Sequence, residues 1–221
     1  MTYKWDFSFL YANSDLLLHG LAITILYTIV TIALGCAVGL LLGLARLVPS
    51  ALVRVPVRLF VEVFRCTPLL VQLIWFYYAF PVLIGVQMPA YMAATMALTL
   101  YGAAFYSEIF RGGVLSIERG QWDAARGLGM SEVKMMTRII LPQAFKVMIP
   151  PFMNQSVMQL KNTSLISTLA VADLVYQGTI IAADTYRPLE VYTVIAVVYF
   201  ALLFPLTTAA EFLERKLAVS S

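Results

Sequence analysis

GLAITILYTIVTIALGCAVGLLLGLA, residues 20–45, carries no charged side chain. A helix needs roughly 20 apolar residues to cross the hydrocarbon core of a bilayer. This run exceeds that length, so it predicts a tilted membrane span. The whole chain agrees. Of its 221 residues, 61% are hydrophobic and only 12% are charged, about half the charge of a soluble domain. Mean hydropathy is +0.85. Such a composition excludes disorder, a coiled coil and a nucleic-acid-binding module, which needs a basic, wettable face. At roughly 20 residues per span, the chain has room for four to six spans and none for a soluble catalytic domain.

Charges mark where the chain leaves the lipid. Residues 66–107 are also uncharged, too long for one helix, and punctuated by Pro81, Gly85 and Pro89. They predict two helices, near 68–84 and 90–111, with a turn between. Residues 147–172 are apolar apart from Lys161 and contain Pro150-Pro151 and the polar run Lys161-Asn162-Thr163-Ser164. They predict a helix near 143–160 and then a broken, re-entrant segment to about 183, since non-helical backbone at membrane depth needs protein or water around it. Residues 191–210 supply the last span. The expected fold is an all-α membrane protein with about five transmembrane helices, forming a single domain over 1–221.

Fifteen basic residues orient this arrangement. Loop 46–58 holds Arg46, Arg54 and Arg58. Loop 111–146 holds Arg111, Arg119, Arg126, Lys134, Arg138 and Lys146, and the C-terminus holds Arg215 and Lys216. In a five-span chain these fall on one side, with only Lys4 and Arg187 opposite. The bias gives N-out, C-in. The stretch Met1 to Asp15 lacks the basic start of a cleavable signal peptide.

Reactive groups are few. Two cysteines, Cys36 and Cys66, and one histidine, His19, provide no zinc or iron–sulfur ligand cluster. The cysteines are expected as small apolar residues and His19 as interfacial. No Gly-x-x-x-x-Gly-Lys-Ser/Thr loop is present, so any nucleotide that drives the protein binds to another subunit. No nucleophile–base set suggests an enzyme.

The longest polar segment is 112–142. Asp123-Ala124-Ala125 is expected to begin a short helix, with a carboxylate in its first turn and Gly127 and Gly129 ending it. Ser131 is a candidate N-cap for a second helix, with Val133, Met136, Ile140 and Leu141 as its apolar face. By pattern alone this is either an amphipathic hairpin lying on the membrane or a docking surface. Its spacing resembles the EAA loop of ABC importer permeases: Glu-Ala-Ala, three residues, Gly, nine residues, Ile-x-Leu-Pro. Here the match is Asp123-Ala124-Ala125, Gly129, Ile139, Leu141 and Pro142, with Asp in place of Glu. Phe64-Arg65-Cys66-Thr67-Pro68-Leu69-Leu70-Val71-Gln72 is similar to the Phe-Arg-Gly-Thr-Pro-Leu-Leu-Val-Gln segment of the polar amino-acid branch, with Cys66 replacing glycine. Tyr106 to Gly113 and Leu160 to Leu165 also resemble that branch, in order along residues 16–216.

The resemblance implies a type I importer permease of the bacterial inner membrane, moving a polar amino acid or close analogue. Its loop would hold the coupling helix, with Asp123 capping it, Ala124 and Ala125 allowing close contact, and Gly129 permitting the turn. Its partners would be an ATP-hydrolysing subunit dimer that carries ATP and Mg, a second permease, identical or paralogous, and an extracytoplasmic amino-acid-binding protein. No cofactor and no nucleic acid are expected on this chain.

An ionisable side chain inside a membrane is costly, and is usually functional or paired. Lys161 is the leading substrate contact. Fifteen residues beyond Lys146, it stands roughly 22 Å up a helix, with Asn162, Thr163 and Ser164 beside it at a helix break. Alternatively it snorkels to the outer interface. Thr67-Pro68 either starts the second span or breaks a longer helix from near Arg58. In the second case Arg65, Thr67 and Gln72 approach the cavity. Arg65 otherwise pairs with Glu62, as Arg58 can, and Glu108 with Arg111. Trp75-Phe76-Tyr77-Tyr78 reads as an interfacial aromatic belt. Asp173 and Asp184 are placed on the outer side, within reach of a binding protein. The competing function is an ion-gradient-driven secondary transporter or channel subunit, which predicts a carboxylate on the transport path. The central spans offer no convincing one.

Overall fold

A computed structural model describes residues 3–218; the ends of the expected 1–221 unit lie outside the described residues. Every regular element among them is helical. After a one-turn helix at Phe9–Ala12 come α1 (Ser14–Leu47), α2 (Ala51–Cys66), α3 (Leu69–Ile84), α4 (Ala90–Leu115), α5 (Arg119–Gly127), α6 (Glu132–Leu169), α7 (Leu174–Thr185) and α8 (Pro188–Ala218). Helices α1 and α8 are each long and apolar enough to cross a bilayer, and counting each bent pair, α2–α3 and α6–α7, as one span raises the number to four.

Several expected boundaries move. Residues 46–58 are not a loop: Ala51 onwards is helical, because Phe60, Val61 and Phe64 recur at helical spacing and pack inward. Segment 112–142 is mostly helical too. Helix α4 runs on to Leu115 and α6 starts at Glu132, so only 116–118 and 128–131 remain irregular. The expected fourth helix at 143–160 is thus the middle of a longer one. The break after it comes later: α-helix persists to Thr163, tightens to a 3-10 turn at Ser164–Leu169 and ends at Ala170 with φ 56°. Helix α7 then leaves at 48° to α6.

Two π-helical turns, Trp75–Ala79 in α3 and Met136–Ile140 in α6, each sit just before a proline, Pro81 and Pro142. A proline ring clashes with the carbonyl four residues back and donates no hydrogen bond there. Widening the preceding turn relieves both problems. The extra residue also rotates α6. Its inward face is Met135, Ile140, Ala144 and Met148, with Met136 half-buried against it; of the expected Val133, Met136, Ile140 and Leu141, Ile140 is buried as expected whereas Val133 and Leu141 are exposed. The aromatic run divides as well: Phe76 is core, while Tyr78 faces outward.

The tightest packing joins α1 to α4. The buried side of α1 is Gly20, Thr24, Thr28, Thr31, Gly35, Gly39 and Gly43, a stripe of small residues at three- and four-residue spacing that ends at buried Arg46. Its outward side chains, such as Leu26, Ile29 and Leu41, are apolar, as lipid contact requires. In lipid there is no hydrophobic drive between helices, so close backbone approach through small residues supplies the packing energy. At Gly39, a Cβ would lie 2.7 Å from Tyr106 Cβ and 2.8 Å from the Ala103 carbonyl oxygen. Gln159 of α6, fully buried, donates through Nε2 to Thr31 Oγ1 at 3.1 Å and to the Leu98 carbonyl at 2.9 Å, tying α6 to both helices.

Candidate functional site

The α4–α5–α6 connection folds onto its own stem. Ala125 is buried with Val114, Ile117, Met135 and Ile140, while Asp123, Ala124, Gly127, Leu128 and Gly129 are exposed. Asp123 does not begin the helix. The chain is extended at Glu118 (ψ 137°) and α5 starts at Arg119, so Asp123 is its fifth residue and cannot act as the cap. The other end behaves as expected. Gly129 has φ +72°, its N–H donates to the Arg126 carbonyl at 2.9 Å, and the Met130 N–H donates to the Ala125 carbonyl at 3.2 Å. That is a Schellman cap, which needs a left-handed residue at Gly129. Ser131 flanks α6 in extended backbone but makes no side-chain cap. The outcome is a short helix with one face of small or short side chains, Gly120, Asp123, Ala124 and Gly127, beside exposed Arg119, Gln121 and Arg126.

Lys161 lies on the exposed side of α6, in its last α-helical turn, and forms no ion pair among the described residues. Asn154, Met158 and Lys161 are exposed in line, separated by four and three residues. Thr163 and Ser164 beside it turn their hydroxyls back to the carbonyls of Leu160 and Lys161, both at 2.7 Å. Asn162 keeps a buried Nδ2 without a partner.

Among the described residues, none of Arg65, Thr67 and Gln72 forms a hydrogen bond or ion pair with Lys161. They gather at the 106° bend between α2 and α3. Thr67 Oγ1 donates to the Val63 carbonyl at 2.5 Å, and Gln72 Nε2 donates to the Phe64 and Thr67 carbonyls at 2.8 and 2.9 Å. These bonds satisfy carbonyls freed where α2 ends. Thr67 and Gln72 also line an almost wholly apolar cavity of about 490 Å³. Arg65 approaches Glu62 at 3.6 Å and Glu108 at 3.4 Å, with its guanidinium 5.7 Å from the Phe105 ring centroid. Glu108 also bonds Arg111 at 2.8 Å, as expected, and Arg46. One carboxylate therefore joins arginines from α1, α2 and α4.

Sequence reasoning passed over other polar groups. Asp173 is not an outward contact: it is fully buried and caps α7 through the Tyr176 N–H at 2.8 Å, whereas Asp184 is exposed. Cys66 is exposed rather than buried. At the N-terminal end, Glu190 accepts from the Tyr3 hydroxyl at 2.5 Å, and Arg187 bridges Glu190 at 3.1 Å and Asp6 at 3.4 Å. The Ser8 N–H, donating to Asp6 at 2.9 Å, holds that carboxyl below its ordinary value. Proximity of Arg187 and Glu190 in sequence hinted at their pair; nothing local pointed to Tyr3. Among the described residues, no cluster of His, Cys, Asp and Glu could hold a metal.

Known proteins share this architecture. Residues 32–219 match the family of binding-protein-dependent transport system inner membrane components. The chain is 33% identical over 217 residues to the glutamine transport system permease protein GlnP of Escherichia coli K12, covering 98% of this chain and 99% of that one. It is 34% identical over 212 residues to the arginine transport system permease protein ArtQ of Bacillus subtilis, covering 96% and 97%. A crystal structure of an amino acid ABC transporter with histidines superposes with a TM-score of 0.90 at 32% identity, covering 97% of this chain and all of that one. The MetNI methionine ABC transporter, at 21% identity and a TM-score of 0.77, shares the fold. With the family matched over most of its length and relatives alike from end to end, the chain belongs to the binding-protein-dependent inner membrane components, the non-catalytic permease subunits of ABC importers.

Proposed function

We propose that this permease carries a polar amino acid of the glutamine or arginine type into the cytoplasm along the face of α6 that bears Asn154, Met158 and Lys161. Relatives named for glutamine and arginine support the substrate class. One observation carries the route: a polar and charged stripe stands exposed on a helix whose neighbours are apolar. Lipid would penalise Asn154 and Lys161 heavily, so this face meets water or a second permease. The Lys161 ammonium, unpaired among the described residues, is available to a substrate carboxylate, with the 3-10 turn beside it.

The chain crosses the membrane five times as one permease domain, N-out and C-in. Helix α4 is the fifth span. Its 26 residues reach about 39 Å, and its Ala, Gly, Ser and Thr content lowers its hydropathy because it packs among other helices rather than against lipid. The coupling segment within 112–142 then faces the cytoplasm, and α5 seats in an ATPase subunit through Asp123, Ala124 and the Gly129 turn, with Ala125 holding α5 to the permease itself. Two ATPase subunits, a second permease and an amino-acid-binding protein complete the importer.

Uptake by the complete transporter in proteoliposomes tests the route. Lys161→Met should abolish amino-acid uptake while ATPase assembly is kept. Unchanged affinity for substrate would remove Lys161 from the path.

A further inference from the structure

Helix α2 has three faces. Phe60, Val61 and Phe64 pack against α1 and α4. Arg54, Arg58 and Arg65 form a second stripe, and Leu52, Val55, Leu59 and Val63 a third that is exposed and apolar, Leu52 to 89%. On a helical wheel the basic and exposed apolar stripes stand roughly a third of a turn apart. Water would not cover the apolar stripe, and hydrocarbon would not receive the basic one. Arg54 and Arg58 form no ion pair among the described residues. The axis of α2 is bent 106° from the apolar helix that follows, which turns it away from the spanning direction.

We propose that α2 lies in the plane of the cytoplasmic leaflet and that Arg54 and Arg58 bind the phosphates of anionic phospholipids. An amphipathic helix seats its apolar face at the acyl boundary with its cations at headgroup level. The cytoplasmic leaflet supplies the complementary negative charge. The assignment rests on the five-span orientation proposed above. Lipid binding there also bears on the interior, because Arg65, on the same face, holds Glu108 together with Arg46 and Arg111.

The test uses the complete transporter in detergent, titrated with fluorescent phosphatidylglycerol, against the same complex carrying R54Q and R58Q. Two juxtamembrane charges should make the double variant bind about thirty-fold more weakly, and raised salt should weaken the native protein in the same direction. Equal binding by the two proteins overturns the lipid assignment. Displacement of the lipid by inorganic phosphate overturns it too, since that marks a free-anion site. Labelling of Arg58→Cys by an impermeant maleimide in intact cells separates the two layers. Reaction from the outside overturns the orientation itself, whereas no outside reaction with unchanged lipid binding overturns only the headgroup contact.

Discussion

Gly39→Ala places one methyl group where the backbones of α1 and α4 approach closely. The new Cβ would stand 2.7 Å from Tyr106 Cβ, 2.8 Å from the Ala103 carbonyl oxygen and 3.1 Å from the Ser107 amide nitrogen. Carbon atoms rest at about 3.5–4.0 Å, so α1 and α4 must part by roughly 0.8–1.3 Å. Two of the three neighbours are backbone atoms and cannot turn aside. Overpacking of this kind costs about 1–3 kcal/mol. At about 2–4 °C per kcal/mol for a chain of this size, a cost of about 2 kcal/mol lowers Tm by about 4–8 °C. The change also strains the Arg46–Glu108 and Gln159–Thr31 links across the same seam. Gly35→Ala, with its nearest neighbour at 3.3 Å, should lose less. Gly112→Ala is the control: nothing lies within 4 Å, and alanine favours the helix by up to about 1 kcal/mol. Thermal unfolding of the three detergent-purified variants reads the series. Equal Tm for Gly39→Ala and Gly112→Ala would refute the glycine-stripe packing.

Two further outcomes follow from the same geometry. Gly129→Ala forces an L side chain into the left-handed conformation at a penalty of about 1–2 kcal/mol; proteolysis at 128–131 should quicken and ATP hydrolysis should run without matching uptake, both read on the reconstituted importer. Glu108→Gln strips the shared carboxylate from Arg46, Arg65 and Arg111 and should destabilise by about 3–5 kcal/mol in chemical unfolding, whereas Arg111→Gln, at a half-exposed partner, should cost under about 1 kcal/mol.

Local features of this fold were legible because local chemistry sets them. Charges bracket the apolar runs, Gly129 marks the only turn that demands positive φ in the coupling segment, and Thr67-Pro68 marks a real bend. Boundaries set by proline were harder. Arg46, Arg54 and Arg58 suggested a loop at 46–58, yet inward packing of Val61 and Phe64 keeps α2 helical through Arg54, Pro56 and Arg58. The π turn before Pro142 shifted the inward face of α6 by one position, which a fixed 3.6-residue period cannot foresee. The polar interior was least legible, since its partners are remote in sequence: Arg46 with Glu108, Gln159 with Thr31, Tyr3 with Glu190. The bonds of Thr67 and Gln72 to the carbonyls of Val63, Phe64 and Thr67 at the α2–α3 bend were likewise not legible.

Water and substrate at the Asn154–Lys161 face of α6 can be detected chemically. With Cys36 and Cys66 replaced by alanine, single cysteines at Asn154, Met158 and Lys161 are exposed to a soluble maleimide in the reconstituted importer, with Leu160→Cys as the buried reference. The three exposed positions should react, Leu160→Cys should not, and saturating amino acid should slow reaction at Asn154→Cys and Met158→Cys, where Lys161 is intact, but not at Lys161→Cys. Reaction at Asn154→Cys and Met158→Cys that is absent, or indifferent to substrate, would contradict transport along this face.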